Sequence, residues 1–464
     1  MSQPGRWRAA AEGSFWLDDV DRPDARPPLR GAVTVDTVVV GAGFTGLWAA
    51  LAALEADPGS SVLVLEGSRI AEHASGRNGG FCSASLTHGD GNGRARWPDE
   101  MPLLRRLGAE NLAGLVADVE RFGIDCDLEA TGELTLAVAG WQMADLVEES
   151  TALGAAGVEH RLLDGEEIAA LVRSPLAVGG LLEADSTVMV NPARLAWGLA
   201  SAVEALGGTI AEHTEVRRLA TDGPTLRLET PGGSVTASRA VIATSAFRPL
   251  VRRTAGRTVP VYDYVLMTEP IDAELRASIG WEGRQGIGDA GNQFHYLRLT
   301  ADDRLLFGGY DAVYRFAQRV DPRHDQDPAI FDHLEADLTA MFPSLSDVAF
   351  SHRWGGAIDT STRFCAAATT SHGGRVVTIN GFTGLGVGAS RFFARTGIDL
   401  LSGRETEATA CSMIRRGPIP FPPEPIRWAG IQATRRAIAA ADAHYGRRGP
   451  WLRLLDRLGL GFDS

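Results

Sequence analysis

Three glycines mark the first place in this chain where residue type and spacing imply chemistry. Gly41-Ala42-Gly43-Phe44-Thr45-Gly46 follows the apolar run that ends at Val40 and leads into an Ala/Leu-rich stretch. In this spacing Gly41 permits a tight turn and Gly43 lets the backbone approach a diphosphate. Gly46 lets the following helix pack closely on the strand before it. The helix N-terminus offers N–H groups and a partial positive charge, so the whole turn, including Ala42, Phe44 and Thr45, is expected to hold the diphosphate. Glu66 stands 20 residues past Gly46, at the end of a second apolar run. Its carboxylate can accept both hydrogens of an adenosine ribose, which disfavours a 2′-phosphate. Arg69 reads as a surface or adenine-stacking residue rather than a phosphate reader.

The elements that must position this turn follow from hydrophobic patterning. Asp36 to Val40 is continuously apolar rather than alternating, as in a strand buried on both faces. A helix from Gly46 to Ala56 and a second buried strand from Ser61 to Leu65 complete a βαβ unit. A Gly/Ser/Asn-rich loop spans Ser75 to Gly93. Helices are expected over 102–122, 142–156 and 193–206, the last with Pro192 in its first turn and Asn191 as its cap. Strands are expected at 208–212, near Val216 and at 237–247, with a hairpin about Pro231-Gly232-Gly233. Between about 250 and 350 the strands lengthen and alternate, which implies an antiparallel sheet with one wet face. The last buried unit, 375–401, reads strand, Gly-rich turn, helix. The tail from Pro418 is Pro-rich, then amphipathic with paired arginines. It reads as a solvated face packed on the body, with a membrane-surface helix as the alternative.

Length and composition set the limits. At 464 residues the chain exceeds one core, so two domains are expected. It carries 45 basic and 58 acidic residues, net −13, which argues against a nucleic-acid binder. Every basic residue is an arginine. Without a lysine there is no amine nucleophile for a Schiff base and no P-loop. The four cysteines are scattered, with no metal-binding cluster, and read as reduced thiols. Met1 to Asp24 lacks an apolar signal region, so a cytoplasmic location is expected. The uncharged stretch Thr37 to Leu54 belongs to the βαβ unit, and no membrane insertion is expected.

A second signal lies in His73-Ala74-Ser75-Gly76-Arg77-Asn78-Gly79-Gly80-Phe81. A loop of this composition can run over a diphosphate and along a ribityl chain. Here the sequence resembles the glycine/D-amino-acid oxidase-like (DAO) family of FAD-dependent flavoproteins, closest to its γ-glutamylputrescine oxidoreductase branch. The resemblance runs from the WLDD…PPLRG lead-in through VVVGAGFTGLWAAL, ASGRNGG and NPARLAWGL. It continues in VIATSAF, LLFGGYDAVY, RWGGAIDTSTRF and NGFTGLGVGASRF. It implies FAD held by Gly41, Gly43, Gly46 and Glu66 at the adenosine diphosphate and by Ser75 to Gly80 near the flavin. Val216 would bind adenine through its backbone, and Thr244 would lie near the diphosphate. Gly381, Thr383, Gly384, Leu385 and Gly386 would bring a helix N-terminus to the flavin, where oriented N–H groups stabilise a reduced anionic ring.

Two departures qualify the resemblance. Relatives attach flavin covalently through a cysteine where this chain has Trp354-Gly355, or through a histidine where it has Arg77. Non-covalent FAD is therefore expected. Some relatives also use a lysine above the flavin to promote reaction with oxygen. Here that charge would come from Arg77, His295 or another cation, which leaves oxygen and other electron acceptors both open.

For the substrate pocket the strand Phe294-His295-Tyr296-Leu297-Arg298 is the expected source. Period two puts His295 and Leu297 on one face and Tyr296 and Arg298 on the other, and which face meets the flavin stays open. His295 is expected as base or cation and Arg298 as receiver of a substrate carboxylate. Tyr310, with Tyr314, is expected to close an aromatic slot, and His88 is a further candidate.

The expected architecture is α/β. A discontinuous Rossmann-type FAD-binding domain (1–95, 180–250 and 350–464) joins a substrate domain built on an antiparallel sheet (96–179 and 251–349). The expected activity is C–N oxidation of a small-molecule amine or amino acid, by hydride transfer to flavin N5 and imine hydrolysis. The alternatives are oxidation of a 2-hydroxy acid or polyol, and a partner-dependent flavoprotein without small-molecule turnover.

Overall fold

A computed structural model describes residues 5–309, 311–317 and 320–461. Two sheets organise the chain. In the first, the Gly31–Val40 strand lies between Val62–Leu65 and Gly233–Ile242, all parallel. Thr209–Ala211 lies beyond the former and Val376–Asn380 beyond the latter. Val40 is level with both Leu65 and Ile242, so three strands end together. A crevice outside the carboxyl ends of parallel strands is where such sheets take ligands. The Phe44–Ala56 helix is buried nearly all round and packs between helices Gly386–Ser402 and Pro192–Ala205. Its lack of a polar face thus reflects burial. Among the described residues no helix is long and apolar enough to cross a membrane.

The second sheet runs Phe350–Ser361, Thr258–Thr268, Leu305–Gly309, His295–Leu299, Gly286–Asp289, Glu133–Ala137, Gly179–Glu183, Arg161–Leu163. Its neighbours are antiparallel except Gly286–Asp289 against Glu133–Ala137, and the short Ala11–Glu12 strand adds a parallel edge beside Phe350–Ser361. One face is covered by the Pro328–Met341 helix, where Leu297, Phe307, Phe331 and Leu334 form a core. The other face looks into a large cavity.

Several elements fall where patterning puts them, including helices Met101–Arg121, Gly140–Ala155 and Pro192–Ala205. The Asn191 side chain caps the last by accepting from Arg194 N at 3.2 Å. Others differ. Val216 lies in a loop rather than a strand, and the Asp90–Arg96 helix begins inside the segment read as loop. The breaks expected at 180 and 350 fall at Gly179–Glu183 and Phe350–Ser361, and both strands pair in the antiparallel sheet. Helix Met101–Arg121, expected with that sheet, packs on Gly386–Ser402 of the nucleotide-binding body. Alternation reports a half-buried strand without saying which sheet it joins.

Candidate functional site

The crevice at the ends of the parallel strands opens into a cavity of about 2070 Å³ that continues across the antiparallel sheet. That exceeds the roughly 300–1,000 Å³ of a pocket for one small ligand. It has room for a dinucleotide and a substrate.

At its first end Gly41 turns at φ +104°. A side chain at Gly46 would run into the Gly41 carbonyl, and one at Gly43 would come within 2.7 Å of Ser75 Oγ. Gly43, Phe44 and Thr45 form cavity wall, whereas Ala42 and Gly46 lie behind it. Glu66 accepts from Ala42 N at 2.7 Å and from Ser68 N at 2.9 Å. Burial raises its carboxyl pKa against the pull of those bonds. The Glu66 carbonyl receives Thr214 N at 2.6 Å, which ties the Val216 loop to this end. Val216 and Thr244 both line the cavity.

The Ser75–Gly80 loop is shaped from within by Asn78. Its amide donates to the Ala74 and Ser75 carbonyls, and its oxygen accepts from Gly80 N at 2.8 Å. The N-terminal lead-in clamps the loop from outside, with Ser14 Oγ donating to Gly76 O and Trp16 Nε1 to Asn78 O. Ser75, Arg77, Asn78 and Gly79 face the cavity, while Gly76 and Gly80 sit behind. Arg77 is engaged with Asp325 and with the Glu72 and Gly355 carbonyls, so it braces the wall rather than presenting a spare charge.

At the flavin-side turn, Asp359 accepts from Gly381 N at 2.5 Å and Phe382 N at 3.3 Å. Burial pushes its carboxyl up to about 6 despite these donors. Gly381 is thus a scaffold residue, and Thr383, Gly384, Leu385 and Gly386 reach the cavity at the start of the Gly386–Ser402 helix. The glycine cradle, the two helix N-termini and the acid at the second strand's tip together fit FAD.

The decisive comparison covers most of the chain: residues 36–400 match the DAO family, described as FAD dependent oxidoreductase. The chain belongs to the DAO family. Gamma-glutamylputrescine oxidoreductase of Escherichia coli is 30% identical over 441 residues, covering 93% of this chain and 95% of that protein. A probable oxidoreductase OrdL of Haemophilus influenzae is 27% identical over 402 residues, covering 84% of this chain and 88% of that protein. Among solved structures, glycine oxidase from Geobacillus kaustophilus superposes with a TM-score of 0.67 at 20% identity, over 81% of this chain and 96% of that one. This DAO-family chain is an FAD-dependent oxidoreductase.

The residues expected on the substrate side fall on both faces of the sheet. Tyr296 is the strand residue that faces the cavity, donating its hydroxyl to Asp263 Oδ2 at 2.6 Å. His295 turns the other way, between Asp289 at 2.7 Å and Asp337 at 3.3 Å and against Phe307. Burial opposes its charge, but both carboxylates outweigh burial and raise it to about 9. It is a cation locked under the sheet. Arg298 shares the face of Tyr296 yet is fully buried, with its Nη1 on Val190 O at 2.5 Å and Gly79 O at 3.4 Å. It bolts the Ser75–Gly80 loop to the sheet and does not line the cavity. Tyr310 lies outside the described residues, and Tyr314 donates to Glu424 of the tail at 2.5 Å. His88 does line the cavity, held neutral by burial, which lowers it to about 4.

Patterning missed the carboxylates. Besides Asp263, Glu133 and Glu183 line the cavity and stand directly opposite each other on adjacent strands. Burial raises Glu133. Burial and then the charges of Glu133, Glu149 and Asp90 push Glu183 up to about 7. The nearby arginines Arg94 and Arg105 are spent on Asp90 and Glu149. Helices Ile426–Ala443 and Pro450–Arg457 roof this end with Ile431, Ile438 and Leu455. The signal available in sequence was an acid at alternate strand positions, Glu133 in ELTLA and Glu183 in GGLLE.

Proposed function

We propose that this enzyme oxidises the C–N bond of a cationic amine, binding FAD non-covalently. The observation that supports this reading is the carboxylate wall. Like charges opposed across a strand pair are destabilising, and a bound ammonium removes that penalty. The wall argues against an anionic 2-hydroxy acid. An α-amino acid is also disfavoured, because Arg298, the expected carboxylate receiver, is buried behind the loop. The Escherichia coli relative is likewise named for an amine substrate.

In this reading Glu133 and Glu183 hold a distal cation, so the reacting nitrogen is placed towards Asp263 and the flavin-side turn. Asp263 is pushed up to about 6 by burial, against the hydrogen bond donated by Tyr296. That is a better match to an amine's proton than an ordinary carboxylate. Tyr296 orients Asp263 and is kept protonated, since burial and the Asp263 charge raise its pKa. The tail helices exclude water while the amine reacts. FAD held in the crevice would supply the two-electron acceptor for the hydride, and water admitted afterwards would hydrolyse the imine.

The test compares an α,ω-diamine with the monoamine of equal chain length. The wall predicts a KM lower by at least about 10-fold for the diamine. An equal or lower KM for the monoamine would contradict the cationic reading.

A further inference from the structure

The tail that roofs the cavity has a surface unlike the rest of the molecule's. Half of the exposed large apolar side chains among the described residues lie between 419 and 458: Ile419, Ile426 and Trp451 stand at the cavity, and Trp428, Tyr445, Leu454 and Leu458 lie outside its lining. Tyr445 is 77% exposed and Leu458 59%. Residues 426–461 also hold seven arginines against two aspartates, in a chain whose net charge is −13. Arg436, Arg447, Arg453 and Arg457 are exposed. None of these four is paired with a carboxylate among the described residues. In the Pro450–Arg457 helix and its cap the apolar arc comprises Trp451, Leu452, Leu454, Leu455 and Leu458; Trp451, Leu452 and Leu455 line the cavity, while Leu454 and Leu458 are exposed outside it. The segment lies beyond the 36–400 region that matches the family.

We propose that this tail is a docking surface for an anionic lipid bilayer. The argument is charge complementarity joined to residue type. A body this acidic is repelled by an anionic membrane, and the basic residues of the tail give a local patch of the opposite sign. A helix that exposes leucines beside arginines, as Leu454 and Leu458 stand beside Arg453 and Arg457, suits the interfacial plane. Tryptophan and tyrosine favour that same depth. The inner face of the tail carries Ile431, Ile438, Trp451, Leu452 and Leu455 on the cavity roof. Docking therefore brings the roof of the active-site cavity against the membrane, without any segment crossing it.

The test is sedimentation of the FAD-loaded, full-length protein with vesicles of phosphatidylcholine alone or with about 30 mol% phosphatidylglycerol. The expected result is pelleting with the anionic vesicles only, reversed in about 0.5 M salt. Arg453→Glu with Arg457→Glu should weaken this binding at least about 10-fold, and Leu454→Ser with Leu458→Ser should weaken it comparably. Circular dichroism and flavin content should stay those of the parent, since all four side chains are exposed and none lines the cavity. Three results would overturn the proposal. One is absence of anionic-vesicle binding, and another is binding indifferent to the charge reversals. The third is self-association without lipid that the same substitutions abolish, which would make a second copy the occupant.

Discussion

The Trp354 indole donates to the Arg77 carbonyl oxygen at 2.8 Å. The resemblance puts a covalent flavin link, where relatives have one, at these two positions, and here they bond to each other. Neither is a nucleophile towards the flavin ring. Precipitating the holoenzyme with acid should therefore leave all the FAD in the supernatant. A yellow pellet would place a covalent link elsewhere.

Glu66→Ala should weaken FAD binding by roughly 10- to 100-fold, the loss expected for a charge-assisted hydrogen bond to ribose. Flavin fluorescence during titration of the apoenzyme reads this directly. Unchanged affinity would move the adenosine away from the tip of the second strand.

Glu183→Gln carries two expectations of opposite sign. A carboxyl raised to about 7 in the folded state holds its proton more tightly there than in the unfolded chain. Stability from this group is thus greatest below the unfolded value, falls as pH rises towards 7, and stays low above it. The substitution should stabilise the substrate-free enzyme at pH 8 by about 1–3 kcal/mol, an advantage that fades towards pH 4.5 in thermal melts. It should also raise KM for a cationic amine and abolish the improvement in KM that the parent shows as pH rises through about 7.

Asp263→Asn should slow amine-driven flavin reduction about 100-fold or more, the usual contribution of a positioned acid or base, with FAD content unchanged. The limb of the rate profile near pH 6 should vanish with it. Tyr296→Phe keeps the carboxylate but removes its donor, so that limb should shift upward rather than disappear.

Arg298→Leu tests the corrected role of that residue. It strips the Val190 and Gly79 carbonyls of their buried donor and should cost roughly 1–3 kcal/mol of stability. KM for an amine should stay near that of the parent. A large rise in KM with stability intact would restore Arg298 as a substrate ligand.

The first glycine turn was readable because a tight turn, a close approach of backbone and close helix–strand packing demand glycine, and Gly41, Gly43 and Gly46 carry that demand in their identity. The substrate half was harder to read. Period two correctly divided His295 from Tyr296, yet the facing side depends on where the Pro328–Met341 helix packs, and no local pattern encodes that. Asp359 shows the same limit. It takes two N–H groups of the flavin-side turn from a strand about twenty residues earlier, so the turn's donors could be counted only in three dimensions. The acid pair Glu133 and Glu183 depends on strand pairing across some fifty residues, which is invisible to a window of ten.

The most direct measurement is the visible spectrum of the purified enzyme, kept anaerobic, during addition of pooled amines and then of 2-hydroxy acids. The structure predicts bleaching of the flavin band near about 450 nm, where oxidised flavins absorb, by the amine pool, strongest with diamines and absent with the hydroxy acids. Bleaching by hydroxy acids alone, or a yellow enzyme indifferent to every amine, would contradict C–N oxidation.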